Sequence, residues 1–294
     1  MLISQTLGLA SALRLAFSIL RPTMSPLTAS SLRRVDGQAE LQIERISEDL
    51  QDGYLVGYSV PEMADRVYNL LRAAGASARP LAELLVFFGH GASSVNNPYF
   101  AAYDCGACSG KPGAPNARAF ALMANRPDVR ALVREKGLSI QEHTWFVGAL
   151  HDTTRDEVQY YELDHVPVHL KGKLARFQAD MEIALARNAK ERCQKFVLVD
   201  PSVSPEQARE EVRRRSTGIF EPRPELNHAT NAGAIVGRRA LTRGLNLDRR
   251  MFLNSYDPEL DPSGDILAGI LGAVVPVCGG INLEYFFSRL DCRV

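Results

Sequence analysis

Two short apolar runs, each ending abruptly in a polar or glycine-rich loop, limit most strongly what this chain can fold into. The run 84–88 stops at Gly89, His90 and Gly91, and the run 145–150 stops at the polar segment HDTTRDEV. Such runs, bounded by turn signals, are typical of strands buried on both faces. Helical patterns lie between them. The sequence therefore predicts an α/β fold, with a mostly parallel sheet flanked by helices.

The remaining elements follow from capping residues and periodicity. A helix is predicted to begin near Pro61, with Ser59 as its N-cap and Gly75 after its last turn. A second helix is predicted to start at Asn116 as its cap. Further predicted elements are a charged helical stretch over 170–215 and short strands at 234–236 and 251–253.

Length and charge narrow the class of protein. We divide the 294 residues into a partial helical region and linker (1–80) and an α/β core (81–294). Lys plus Arg equals Asp plus Glu, 34 each, which argues against a partner that is a nucleic acid. The sequence contains no uninterrupted run of eighteen apolar residues, so it predicts no membrane-spanning helix. Residues 1–20 are predicted to form an amphipathic helix rather than a signal peptide, because Arg14 interrupts their apolar stretch.

The five cysteines are odd in number and irregularly spaced, so they do not predict a disulfide framework. Cys193 lies in a charged helical stretch and Cys278 in an apolar run, so both are predicted to be structural or incidental. Cys105 and Cys108 form a C-x-x-C motif. In a thioredoxin-like redox site this motif follows a first strand and opens a helix. Because the spacing is common by chance, it is weak evidence for a redox site.

The densest set of reactive side chains follows the first apolar run. His90 lies between two glycines that allow close backbone approach, and Cys105 follows 15 residues later, before a predicted helix. The positive potential at a helix N-terminus favours a thiolate, and a histidine nitrogen with a thiolate is a natural ligand pair for Zn²⁺. Because a zinc centre needs three or four ligands, a glycine-rich loop with a buried cysteine remains an alternative.

The polar segment after the second run is expected to meet the first. The carboxyl ends of neighbouring parallel strands share an edge of the sheet, so His151 or Asp152 is predicted to line the same cleft as His90. Thr153 and Thr154 have a simpler interpretation as helix caps. The other candidate acids are Asp104, Asp156 and Glu157, and the candidate arginines for a planar, carboxylate-like anion are Arg118 and Arg223.

Five segments, in order along the chain, carry a family resemblance. They are FFGHGASSVNNPYFAAYDCGACSGKPGAPNARAFALMAN, FVGALHDTTRDEV, RPELNHATNAGAIVGRR, FLNSYDPELD and INLEYFFSRLD. They resemble the DabA family of inorganic carbon transporter subunits, and the resemblance covers the chain from about residue 50 to its end. It implies a core like that of β-class carbonic anhydrases, which would be incomplete in this chain.

The resemblance also implies a zinc site with four protein ligands. In the family a Cys-x-Asp pair, with a nearby Arg, precedes a His and a Cys, and the later two match His90 and Cys105 here. This chain contains no Cys-x-Asp. It is therefore expected to be truncated at both ends, to carry half of the site, to retain little zinc by itself and to be inactive alone.

The activity implied by the resemblance is zinc-dependent hydration of CO₂ to bicarbonate. A membrane-embedded partner, a DabB-like subunit related to the proton- or cation-conducting subunits of NADH dehydrogenase, would couple this step to a cation gradient. The protein is expected to lie peripherally on the cytoplasmic face of the inner membrane. Two alternatives stay open: a scaffold subunit without catalysis that docks on a membrane protein, and a thiol enzyme with Cys105 as nucleophile and His90 or His151 as base.

Overall fold

Helices and short strands alternate along the chain. This computed structural model describes residues 2–21, 39–48, 50–76, 80–93, 111–218, 220 and 231–290. In chain order the helices and strands are α1 (Leu2–Leu20), β1 (Leu50–Gln51), β2 (Tyr54–Leu55), α2 (Val60–Ala73), β3 (Leu84–Gly91), α3 (Ala114–Asn125), α4 (Pro127–Glu135), β4 (Trp145–Asp152), β5 (Glu157–Tyr160), α5 (Val168–Cys193), α6 (Pro205–Thr217), β6 (Gly233–Gly237), β7 (Met251–Ser255), α7 (Asp265–Val275) and α8 (Ile281–Leu290). A π-helical turn, Pro276–Gly280, joins the last two helices.

The strands of the described residues form three small sheets. β3 and β4 pair in parallel, with Leu84 opposite Trp145, and β5 pairs antiparallel with β4 on its other side. β6 and β7 form a separate parallel pair, and β1 and β2 form a short antiparallel one. The mixed α/β class is confirmed. Within the described part of the chain, the one mostly parallel sheet that we expected is replaced by these three.

The main core lies on the two faces of the β3–β4 pair. On one face Phe146 packs among side chains of α2, α3 and α4, such as Met63, Phe120 and Val133. On the opposite face Val147 packs against Leu170 and other side chains around the start of α5. Burying each of these large apolar side chains contributes about 1.5–3 kcal/mol. The alternation of neighbouring residues between two cores holds β4 in a single register.

Helix α2 begins as its sequence predicts. The Ser59 side chain accepts a hydrogen bond from the Glu62 amide, and the Glu62 carboxylate accepts one from the Ser59 amide at 2.7 Å, which completes a capping box. Gly75 follows the helix with a φ of +75°, a conformation that glycine adopts at little cost. Each signal lies within a few residues of the helix end that it marks, and the capping prediction is confirmed.

The start of α3 differs from the prediction. The helix begins at Ala114 with Gly113 as its N-cap, so the assignment of Asn116 as the cap was wrong. The cause lies in the neighbouring strand: the Gly113 amide donates a 2.7 Å hydrogen bond to the His90 carbonyl. A side chain at Gly89 would collide with the Gly113 carbonyl, so glycine in both places allows the helix to start against β3.

The charged stretch predicted over 170–215 is two helices. α5 ends at Cys193, and α6 starts with a second capping box, in which Ser204 and Gln207 exchange hydrogen bonds. Cys193 is buried between them, its thiol donating to the Ala208 carbonyl, and burial raises its pKa. This supports the structural role predicted for Cys193.

Helices α1, α7 and α8 expose apolar side chains. Phe17 of α1 is 56% exposed, and Val275 of α7 is 62% exposed. Within the described residues, no helix is both long enough and apolar enough to span a membrane. The division of the chain near residue 80 stays a prediction.

Candidate metal centre

His90 lies at the carboxyl end of β3, where the strand leaves the sheet. It is half-buried, and its ring nitrogen Nε2 lies 3.0 Å from the Thr153 hydroxyl oxygen. The same hydroxyl lies 3.2 Å from the Gly91 carbonyl oxygen. The imidazole is therefore held at the sheet edge by the turn that follows β4, in the way that a zinc-binding histidine is typically oriented by a neighbouring group.

The structure brings the two polar segments together as predicted. His90 stands opposite His151 in the parallel register, and Gly91 stands opposite Asp152. All three side chains therefore belong to one edge, at the carboxyl ends of β3 and β4. The register places His151 opposite His90, whereas a cleft shared by these side chains stays a prediction.

Asp152 is used by the fold itself. Its Oδ1 accepts hydrogen bonds from the amides of Thr154 at 3.1 Å, Arg155 at 3.4 Å and Ser93 at 3.2 Å, and its Oδ2 accepts one from the Ser93 hydroxyl. Burial raises the pKa of this carboxyl, and the hydrogen bond from Ser93 opposes that rise. Since both oxygens are occupied, Asp152 closes the turn and ties the end of β3 to the end of β4.

Asp156 holds the same turn against α5. Its carboxylate is fully buried, accepts a 2.7 Å hydrogen bond from the Asn188 amide group and lies 3.2 Å from the Arg192 guanidinium. His151 Nε2 lies 3.5 Å from the same carboxylate. Arg192 also donates to the carbonyl oxygens of Thr153 and Thr154. These contacts fix the β4–β5 turn onto α5.

The other predicted acid in this segment and the predicted anion-binding arginine are also engaged. Glu157 pairs with Arg155 at 2.9 Å and with Arg213 at 2.7 Å. Arg118 is buried, donates through Nε to Glu162 at 2.7 Å and lies over the Tyr161 ring. The guanidinium of Arg118 thus joins α3 to the residues after β5, and the geometry favours a structural role over the predicted anion binding.

Several predicted residues lie outside the described part of the chain: Asp104, Cys105, Cys108 and Arg223. Both flanks of the segment 94–110 are described, and both are tied to the His90 edge. Ser93 binds Asp152, and Gly113 donates to the His90 carbonyl. The described residues on either side of 94–110 therefore both lie close to His90 in the fold.

His90 suits a zinc ion as one ligand, because it offers an imidazole that is oriented by Thr153 at a strand end. In the described residues, no group of three or more His, Cys, Asp or Glu side chains is arranged to hold a metal. The described edge therefore offers one candidate ligand, His90, and a complete centre would need ligands from elsewhere.

The residue that sequence reasoning missed is Thr153. We interpreted the pair Thr153-Thr154 as helix caps, whereas Thr153 meets His90 and Thr154 is fully buried beneath Arg192. The available signal was positional: a hydroxyl residue two places beyond the register partner of a candidate ligand lies within reach of that ligand.

Comparison with known proteins gives a consistent result. The family described as "Probable inorganic carbon transporter subunit DabA" matches residues 1–294. A protein of that description from Azotobacter vinelandii is 54% identical over 290 residues, which cover 98% of this chain and 34% of the relative. One from Nitrosospira multiformis is 47% identical over 292 residues, covering 98% of this chain and 32% of the relative. The chain thus spans about a third of the length of these curated relatives. No solved structure matches it.

Proposed function

The chain belongs to the DabA family of probable inorganic carbon transporter subunits, and from that premise we propose that it contributes His90 and Cys105 to a zinc centre that hydrates CO₂ to bicarbonate. The observation that carries this proposal is the position of His90. It stands at the carboxyl end of a covered parallel strand pair, with its ring held by Thr153. Ligand sites of open α/β sheets lie at such edges.

Cys105 is proposed as the second ligand from this chain. It precedes Gly113 by eight residues, and the Gly113 amide donates to the His90 carbonyl. Eight extended residues span at most roughly 26–29 Å, so the chain between Cys105 and Gly113 is long enough to let the thiol reach the imidazole. We propose that the Cys-x-Asp pair implied by the family resemblance comes from the part of the family's length that this chain does not span.

Among the described residues, those around His90 provide orientation. Thr153 orients the His90 ring, while Asp152 and Asp156 hold the turn from which Thr153 projects. A zinc ion held at this edge would supply the acidity that makes water a nucleophile near neutral pH. An edge tied by several hydrogen bonds limits the movement of His90, which is the condition for a site of fixed geometry.

The same proposal extends to the fold of the core, the partner subunit and the location of the protein. We propose that β3, β4 and their helices are part of a core like that of β-class carbonic anhydrases, within an α/β region of residues 81–294. The name of the family implies a partner subunit and inorganic carbon as substrate. We propose a DabB-like, cation-conducting membrane subunit as that partner, with this subunit peripheral on the cytoplasmic face of the membrane.

A scaffold role has one observation in its favour. Large apolar side chains of α7 and α8, among them Leu283 and Phe286, are more than half exposed. Exposed apolar patches often mark surfaces that bind a partner. A scaffold that only docks would tolerate loss of His90.

The test is inorganic carbon uptake by cells that depend on the intact protein for growth in air. We expect His90→Ala and Cys105→Ala each to abolish uptake, because each removes one ligand. His143→Ala is the matched control, since His143 is exposed and lies away from the edge; it should leave uptake unchanged. Normal uptake by the His90→Ala strain, with the protein present at its usual amount, would exclude the zinc proposal and favour the scaffold.

A further inference from the structure

Three polar groups at the sheet edge form a chain of hydrogen bonds. His90 Nε2 lies 3.0 Å from Thr153 Oγ1, and Thr153 Oγ1 lies 3.2 Å from the Gly91 carbonyl oxygen. The Thr153 amide donates to the same carbonyl at 2.8 Å. Both the backbone and the side chain of Thr153 therefore meet the residue that directly follows His90.

The direction of this chain follows from the number of protons. A threonine hydroxyl has one proton to donate and two lone pairs that accept, and a carbonyl oxygen accepts only. The Thr153 hydroxyl therefore donates to Gly91, and its oxygen accepts from His90. In that arrangement the proton of the neutral imidazole resides on Nε2, and the lone pair of the ring resides on Nδ1.

We propose that Thr153 is a positioning residue that holds His90 in the Nε2–H tautomer, and that Nδ1 is the nitrogen that binds the metal. This inference rests on the proposed function, since it names which atom of His90 and which neighbour serve that site. A histidine ligand whose other nitrogen is bound by a neighbour has its tautomer and orientation fixed.

The surroundings of Thr153 are suited to this role. Arg192 is almost fully buried and donates to the carbonyl oxygens of both Thr153 and Thr154. Asp156 lies 3.2 Å from the same guanidinium, and Asp152 accepts a hydrogen bond from the Thr154 amide. The buried ionic network thus fixes the turn, and with it the position of the Thr153 hydroxyl.

A purely structural role for Thr153 predicts something different. If the residue served only to shape the turn, its amide and its β-branched side chain would be the important features. Thr153→Val keeps that shape and removes the hydroxyl, whereas Thr153→Ser keeps the hydroxyl and removes a methyl group. The two variants therefore separate a role in positioning from a role in packing.

The first experiment measures zinc in the intact protein, with His90→Ala as the baseline for zinc that depends on this site. We expect Thr153→Val to weaken retention of that zinc against a competing chelator by about 10–100-fold, the usual effect of losing such a neighbour. Thr153→Ser should restore retention to near the wild-type level. Equal retention by the valine variant and the wild type would overturn the inference.

The second experiment addresses the ring nitrogen directly and covers the case in which Thr153→Val fails to fold. Replacing His90 with Nδ1-methylhistidine blocks the proposed ligand atom, and the intact protein should then retain no more zinc than His90→Ala. Replacing it with Nε2-methylhistidine leaves Nδ1 open and should keep part of the zinc. The reverse order would show that Nε2 binds the metal, and the inference would be wrong.

These outcomes are distinguishable from failure of the proposed function. If the wild-type protein holds no zinc that depends on His90, both the function and the inference fall. If it holds such zinc but neither Thr153→Val nor Nδ1 methylation reduces it, only the inference falls.

Discussion

The two parallel strand pairs of this molecule have the same local geometry and different surroundings. β3 and β4 are covered by α2–α4 on one face and by α5 on the other, and Phe146 to Ala149 are all buried. In the described residues, no side chain of β6 or β7 is buried. Parallel sheets normally bury both faces. A parallel register is therefore not sufficient for a rigid site: the helices that cover the pair are what fix its edge, and His90 stands at the end of the covered one.

The largest expected difference between the two strand pairs is the stability lost when a neighbouring ion pair is broken. Asp156→Ala removes the carboxylate facing the buried Arg192 beside β4, which should cost about 3–5 kcal/mol of stability. Asp257→Ala removes the partner that lies 2.8 Å from the exposed Arg238 beside β6 and should change stability little, because water and salt screen that pair.

Thermal unfolding of the intact protein, with hydrogen exchange read separately over the β4–β5 turn and over β6–β7, measures both variants. We expect Asp156→Ala to lose exchange protection in the turn, and Asp257→Ala to leave both regions as they were. Equal losses for the two variants would refute the contrast between a covered and an uncovered pair.

A smaller, pH-dependent effect concerns α2, one of the covering helices. The hydrogen bond from the Ser59 amide, followed by that from Arg45, lowers the pKa of Glu62 from 4.5 to about 2. Because the folded-state value is depressed, the contribution of Glu62 to stability is present above about pH 4.5 and is lost as the pH falls toward about 2.

Glu62→Gln is the matched variant, since glutamine still completes a capping box but does not titrate. The melting temperature of the wild type should exceed that of Glu62→Gln at neutral pH, and the difference should shrink between about pH 4.5 and 2. A difference that stays constant over this range would show that the charge of Glu62 does not stabilise α2.

Local signals predicted much of the covered region. Short stretches of sequence predict the runs that became β3 and β4 and the Ser59 cap of α2. The rule that parallel strands share an edge predicts that His90 and His151 stand at the same end of the sheet. In each case the deciding interactions lie within the element itself or between two adjacent strands.

Features that depend on distant partners were not predictable. β5 has only four residues, and it exists because β4 offers a free side for antiparallel pairing. Asp156 appears as an ordinary polar turn residue until Arg192, 36 positions later, approaches it. The start of α3 was moved from Asn116 to Ala114 by the contact between Gly113 and His90. The sequence shows these residues, but only tertiary packing assigns their roles.

The central claim is that His90 binds zinc, and the most direct measurement is the zinc content of the intact protein, purified without added metal. The wild type and the His143→Ala control should each carry one zinc per chain that His90→Ala lacks, while all three show the same unfolding transition. If His90→Ala carries as much zinc as the wild type, the edge formed by β3 and β4 is not a metal site, and the proposed chemistry does not occur there.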